Sequence, residues 1–170
     1  MLGFYENFPA NIHRIEAFTT CLSSKRLQRR LIQVLHDVNL RKFSFEEVAC
    51  PTVPQCMVIF ETGLAEAKNF NYIDEEEKQK VLSALRKAPF QTMDFFCAVR
   101  YYKGILGNKM PLKFDYYLLR VVFVRNNLEM QVFHERGPRY ISPEDIITFL
   151  VNEVNKASSR KTLKKIETKP

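Results

Sequence analysis

The chain has 170 residues, 46% hydrophobic and 26% charged, with 14 Phe, 7 Tyr, no Trp and only 5 Gly. That length supports one core without disulfide or metal staples, and the scarcity of glycine argues against Gly-rich phosphate loops and a repetitive all-β design. The formal net charge of +7 favours acidic partners: nucleic acid, anionic lipid or an acidic protein.

The positive excess is uneven. Residues 160–170 carry Arg160, Lys161, Lys164, Lys165 and Lys169 against Glu167 alone. The chain therefore reads as one domain over residues 1–157 followed by a basic, flexible tail over 158–170. Cys21, Cys50, Cys56 and Cys97 form no C-x-x-C pair and have no histidine at zinc-finger spacing, so neither metal nor cofactor is expected. The first residues lack a basic segment followed by an apolar one, and no apolar run approaches the length of a membrane span. An intracellular, reduced setting is expected, in cytoplasm or nucleus.

In chain order, residues 1–11 read as an irregular arm. Residues 12–20 read as a strand, with Ile15, Ala17 and Thr19 alternating, although a helix fits the apolar spacing almost as well. Ser23 or Ser24 caps a helix whose apolar stripe is Leu27, Leu31, Val34, Leu35 and Val38; its opposite face carries Lys25, Arg26, Arg29, Arg30, Gln33 and His36. Residues 39–54 read as a strand or loop punctuated by Pro51 and Pro54, and 55–61 as a short central strand followed by a polar connection. Asp74 caps a second helix with Glu75, Glu76 and Glu77 in its first turn and Arg86 and Lys87 near its end, stopped by Pro89.

In the next strand Phe95, Cys97, Val99 and Tyr101 share one face, and Phe96, Ala98, Arg100 and Tyr102 the other. Residues 104–113 read as a turn-rich loop. A hairpin follows, its turn placed at Asn126-Asn127 in type I′ geometry. That register sets Phe123 against Met130, Val121 against Val132 and Leu119 against His134 on an apolar face. On the mixed face it sets Val124 against Glu129, Val122 against Gln131, Arg120 against Phe133 and Leu118 against Glu135. Ser142-Pro143-Glu144-Asp145 starts the last helix, with a hydroxyl cap, proline at the first position and acids in the first turn. The expected fold is a single α+β domain of order β-α-β-α-β-β-β-α, its sheet mixed or mainly antiparallel and its helices packed on one face.

Three constellations carry candidate chemistry. At the corner 134–139, Arg136 and Arg139 lie beside a helix N-terminus, where backbone N–H groups favour anions; the plainer account is a charged corner with local ion pairs. Arg26, Arg29 and Arg30, with Lys25, form a basic helix stripe that suits a phosphate backbone or a solvated face. Phe96, Arg100, Tyr102 and Lys103 beside Tyr116, Tyr117 and Arg120 interleave rings with cations, as platforms for single-stranded nucleic acid do, or as a packed sheet with snorkelling cations does. There is no P-loop, dinucleotide fingerprint, H-E-x-x-H or G-x-S-x-G. The resulting expectation is a non-enzymatic interaction module, a subunit or adaptor of an intracellular and nucleic-acid-associated complex, with a protein partner or its own copy as ligand. Direct RNA or DNA binding through Arg26, Arg29, Arg30, Arg100, Arg120, Arg136 and Arg139 is the alternative. An enzyme acting on a phosphorylated small molecule at residues 136–142 is the third.

Overall fold

Alternation, caps and turn residues give twelve elements in a computed structural model, which describes residues 1–50, 56–105 and 108–167. They are β1 (Arg14–Thr20), α1 (Ser24–Asn39), β2 (Lys42–Ser44), α2 (Phe45–Val48), β3 (Cys56–Glu66), β4 (Asn69–Tyr72), α3 (Glu75–Lys87), β5 (Thr92–Ile105), β6 (Asn108–Val124), β7 (Asn127–Arg136), α4 (Pro143–Lys156) and β8 (Leu163–Lys165). The caps form as the side chains dictate: Ser23 accepts from Arg26 N–H, Asp74 from Glu77 N–H and Ser142 from Asp145 N–H. No described helix is long and apolar enough to cross a membrane.

The strands form one eight-stranded antiparallel sheet of order β2-β3-β5-β6-β7-β1-β8, with β4 paired to β3. Helices α1 and α4 cover the face lined by Val58, Phe60, Phe95, Val99, Leu119, Met130 and Val132. Phe149 of α4 stacks on Phe60 at 5.0 Å and meets Phe43 edge-on at 5.1 Å, so rings from both layers interlock. The single α+β domain expected from the pattern is the observed fold.

Several local expectations change. The polar connection after 61 begins inside β3, which runs on to Glu66 and turns back as β4. The loop expected at 104–113 is largely strand, since β5 and β6 form a long ladder in which Gly104 pairs with Lys109; residues 106 and 107 lie outside the described residues. Within 39–54, β2 and the one-turn α2 replace an undivided strand or loop, while Pro51 and Pro54 lie outside the described residues. The segment read as a tail contributes β8, whose Leu163 is buried and pairs with Thr20. His36, assigned to the solvated face of α1, is buried with Nε2 3.6 Å from Glu75 of α3.

The hairpin turns at Arg125-Asn126 rather than Asn126-Asn127. Val124 pairs with Asn127, and Asn126 alone of the two turn residues takes a positive φ, 64°, so the turn is not type I′. Every pairing slides by two residues: Phe123 meets Leu128, Val121 meets Met130, Leu119 meets Val132 and Tyr117 meets His134. A two-residue slide leaves each side chain on its expected face, because strand side chains alternate with period two. A bulge between Tyr116 and Tyr117 then sets Arg136 opposite Tyr116.

Candidate interaction surface

On the face without helices, the side chains of β3, β5, β6 and β7 meet residues 1–13. Gly3, at φ 89°, inserts between the diverging ends of β3 and β5; its N–H donates to Ala65 at 2.7 Å and its carbonyl accepts from Asp94 N–H at 2.7 Å. The arm then crosses Arg120, whose guanidinium lies 5.1 Å from the Phe4 ring and 4.3 Å from that of Phe8. It reaches β7 where His13 stacks on Phe133 at 4.6 Å. Burial, with Arg139 and His134 nearby, holds the His13 pKa below its ordinary value.

Beneath the arm Arg120 grips a fully buried Asp94, Nε to Oδ1 at 2.7 Å and Nη2 to Oδ2 at 2.9 Å, while Tyr5 N–H donates to Oδ2 at 2.7 Å. The two face each other across β5 and β6. Arg120 is thus held inside the fold by a carboxylate and covered by two rings.

The rest of this face is open. A row of rings crosses it, with Phe70 to Phe96 at 5.6 Å, Phe96 to Tyr116 at 5.7 Å and Tyr116 to Phe114 at 6.1 Å. Met57, Tyr72 and Phe114 on the same face are 40%, 46% and 39% exposed. Arg136 lies 4.5 Å over the Tyr116 ring, and Arg100 lies 5.8 Å from that of Tyr102 while pairing Glu61 at 2.6 Å. Lys113, Phe114, Tyr116, Arg136, Gly137 and Pro138 line an open hollow of about 640 Å³. Of the rings and cations expected to interleave, Phe96, Arg100, Tyr102 and Tyr116 share this open face, and Arg136 from the corner joins them. Tyr117 departs from it: it faces the core, and its hydroxyl donates to the carbonyl of Ile141.

The corner between β7 and α4 is built around Asp115, which the sequence reading passed over. Fully buried, Asp115 accepts from Tyr101 Oη at 2.6 Å, Arg139 N–H at 2.6 Å and Tyr140 N–H at 2.9 Å, and lies 2.8 Å from His134 Nε2. Burial first, then the neighbouring Tyr117 and Asp115, push the Tyr101 pKa up; burial and Asp115 do the same to Tyr117. Gly137 is obligatory here: its φ is 115°, and a Cβ would lie 2.5 Å from Asp115 Oδ1 and closer still to the Phe114 carbonyl oxygen. The corner does bind an anion, and that anion is the protein's own carboxylate. The signal was an Asp sharing the core-facing parity of Tyr117 and Leu119, where only a fully hydrogen-bonded carboxylate is tolerated.

The seven arginines do not converge. Arg26, Arg29 and Arg30 lie on α1, across the sheet from Arg100, Arg120 and Arg136. Arg26 and Arg29 are exposed, and Arg30 Nη1 donates to Thr162 Oγ1 at 2.8 Å. Arg139 is exposed, with φ 61°, and enters the corner through its backbone N–H. Among the described residues no group of three or more His, Cys, Asp and Glu is placed to hold a metal ion.

Fold and surface together define an α+β domain whose antiparallel sheet is helix-covered on one face and half-open, ring-rich and arginine-rimmed on the other. No known family, curated protein or solved structure matches the chain.

Proposed function

We propose that the protein is a non-enzymatic interaction module, a subunit or adaptor of an intracellular assembly, which docks a protein partner on the open part of its second sheet face. The observation that carries this reading is the exposure of Met57, Tyr72 and Phe114 beside the Phe96–Tyr116 row, with Arg100 and Arg136 at its margin. Aromatic residues, methionine and arginine are the side chains enriched where protein interfaces concentrate their binding energy. The polar groups that might have suggested catalysis have structural employment. His134 and Asp115 hold a corner, and Asp94 and Arg120 hold the arm.

Phe114→Glu and Tyr72→Glu place charges on this surface without touching the core. Affinity capture with the tagged chain should recover a partner in stoichiometric amount, or sedimentation should show self-association, and each substitution should weaken that association at least tenfold. A monodisperse monomer that recovers no stoichiometric partner, or an association indifferent to both substitutions, would overturn the reading.

A further inference from the structure

The helix stripe and the segment read as a tail, far apart in sequence, meet in space. Arg30 Nη1 donates to Oγ1 of Thr162, which is 2% exposed, and this bond joins α1 to the segment leading into β8. Beside it lies a cleft of about 550 Å³ lined by Arg160, Lys161 and Lys164 and by Thr19, Thr20 and Thr162, with Cys21 at its edge. The first turn of α1 contains no acid. Among the described residues Arg26, Arg29, Arg160, Lys161 and Lys164 have no carboxylate within ion-pair distance. Arg14, Arg41, Lys80, Arg100 and Arg120 elsewhere are paired, and next to Lys164 the neighbouring Lys165 is paired with Glu16 at 2.9 Å. Five unpaired cations are thus gathered around the first turns of α1 and the β8 edge, whereas unpaired Lys42, Lys68 and Arg136 lie singly elsewhere on the surface.

We propose that the exposed stripe of α1 and the cleft between β1 and β8 form one continuous site for the phosphodiester backbone of a nucleic acid. Arg26 and Arg29, one helical turn apart with a rise of about 4.5 Å, present two exposed guanidiniums side by side on α1, a pairing that suits neighbouring phosphates of one strand. Hydroxyls and cations line the cleft with no large apolar side chain among them, which suits phosphate oxygens; a lipid surface would call for apolar side chains inserted beside the charges. The site makes no base contact, so it positions a nucleic acid without reading its sequence. The α1 stripe lies across the sheet from the aromatic surface, and the cleft, at the β8 edge, is separated by β7 and β1 from the β6 end of the ring row, so either surface can fail without the other.

The test uses a fluorescein-labelled mixed-sequence DNA duplex and the full chain, read by anisotropy across a salt series. With Arg26, Arg29, Arg160, Lys161 and Lys164 as phosphate contacts, log affinity should fall against log salt with a slope of about −4.5. Arg26→Glu with Arg29→Glu, and separately Lys161→Glu with Lys164→Glu, should each lower affinity at least tenfold and flatten the slope by about 2. Arg30 and Thr162 stay intact because their bond is structural. Lys42→Glu with Lys68→Glu, both exposed and at other sites, makes the same charge change and should leave affinity within about twofold. The proposal is overturned if that control weakens binding as much as the site pairs, if only one of the two site pairs matters, or if the chain binds phosphatidylserine vesicles but not the duplex.

Discussion

Asp94 and Asp115 are both fully buried carboxylates in the middle of the sheet, on opposite faces, and they are stabilised in different ways. Asp94 is matched by a charge, the Arg120 guanidinium, with one backbone N–H from Tyr5. Asp115 is matched by the Tyr101 hydroxyl, the His134 ring and two backbone N–H groups. The first arrangement fastens a crossing arm and the second shapes a corner. A guanidinium can be deleted together with its carboxylate, whereas backbone N–H groups cannot be deleted at all. The two sites should therefore respond differently to replacement.

The largest effect is expected at Asp115→Ala, which strips the Arg139 and Tyr140 N–H groups and the Tyr101 hydroxyl of their acceptor at once. At about 1–3 kcal/mol for each buried group left unsatisfied, the loss is on the order of 5 kcal/mol, and chemical denaturation should find little folded protein. A near-native midpoint would show that water replaces the carboxylate.

Next is Arg120→Ala, expected to cost about 3–5 kcal/mol because it leaves Asp94 buried without its partner. The double replacement Asp94→Leu with Arg120→Leu should recover most of that loss, with only the Tyr5 N–H left to find water. No second substitution of comparable kind should rescue Asp115→Ala. If the double replacement were as unstable as Arg120→Ala, the distinction between the two carboxylates would fail.

A smaller change, about 1 kcal/mol, is expected for Ser142→Ala, which removes the hydroxyl accepting from Asp145 N–H at 3.1 Å. A thermal shift as large as that of Asp115→Ala would mean that the helix cap, rather than the carboxylate, organises the corner.

The smallest effect is a pH dependence at Glu16. Burial opposes ionisation there, but hydrogen bonds from Lys165 and Arg14 outweigh it and hold the carboxyl below its ordinary pKa. A lowered folded-state pKa stabilises the fold above the ordinary glutamate value of about 4.3, and that contribution is lost as pH falls through the folded value. The melting-temperature difference between the native chain and Glu16→Gln should therefore be present at neutral pH and shrink on acidification. A difference that is constant down to strongly acidic pH would remove the ion pairs from the account of how β8 is held to β1.

Much of the fold was legible because its causes are local. Ser23, Asp74 and Ser142 are the caps the sequence indicates, and each helix starts where its cap stands. The faces of β5, β6 and β7 were correct even though the hairpin register was off by two, because alternation is insensitive to an even slide. The missed strands are ones whose own residues carry no strong alternation and that form only against a partner strand, close in sequence for two of them and distant for one. Asn69–Tyr72 requires the end of β3, Leu163–Lys165 requires β1, and Gly104 pairs across the β5–β6 ladder.

The candidate site was less legible. The sequence shows that Arg136 and Arg139 border a helix start, and it shows a run of rings and cations. It does not show that Asp115, more than twenty residues before the corner N–H groups it accepts, occupies the place an external anion would take. Nor does it show that Arg120 is consumed by Asp94 under the arm, or that Arg30 reaches Thr162 to join helix stripe and C-terminal segment.

Caps, alternation and composition act within a few residues of chain, so the sequence by itself determined the class of fold, the starts of the three long helices and the faces of β5, β6 and β7. Which carboxylate meets which donor, which cations stay unpaired and which rings stay uncovered depend on segments brought together only when the sheet closes. Those pairings the tertiary structure alone decided.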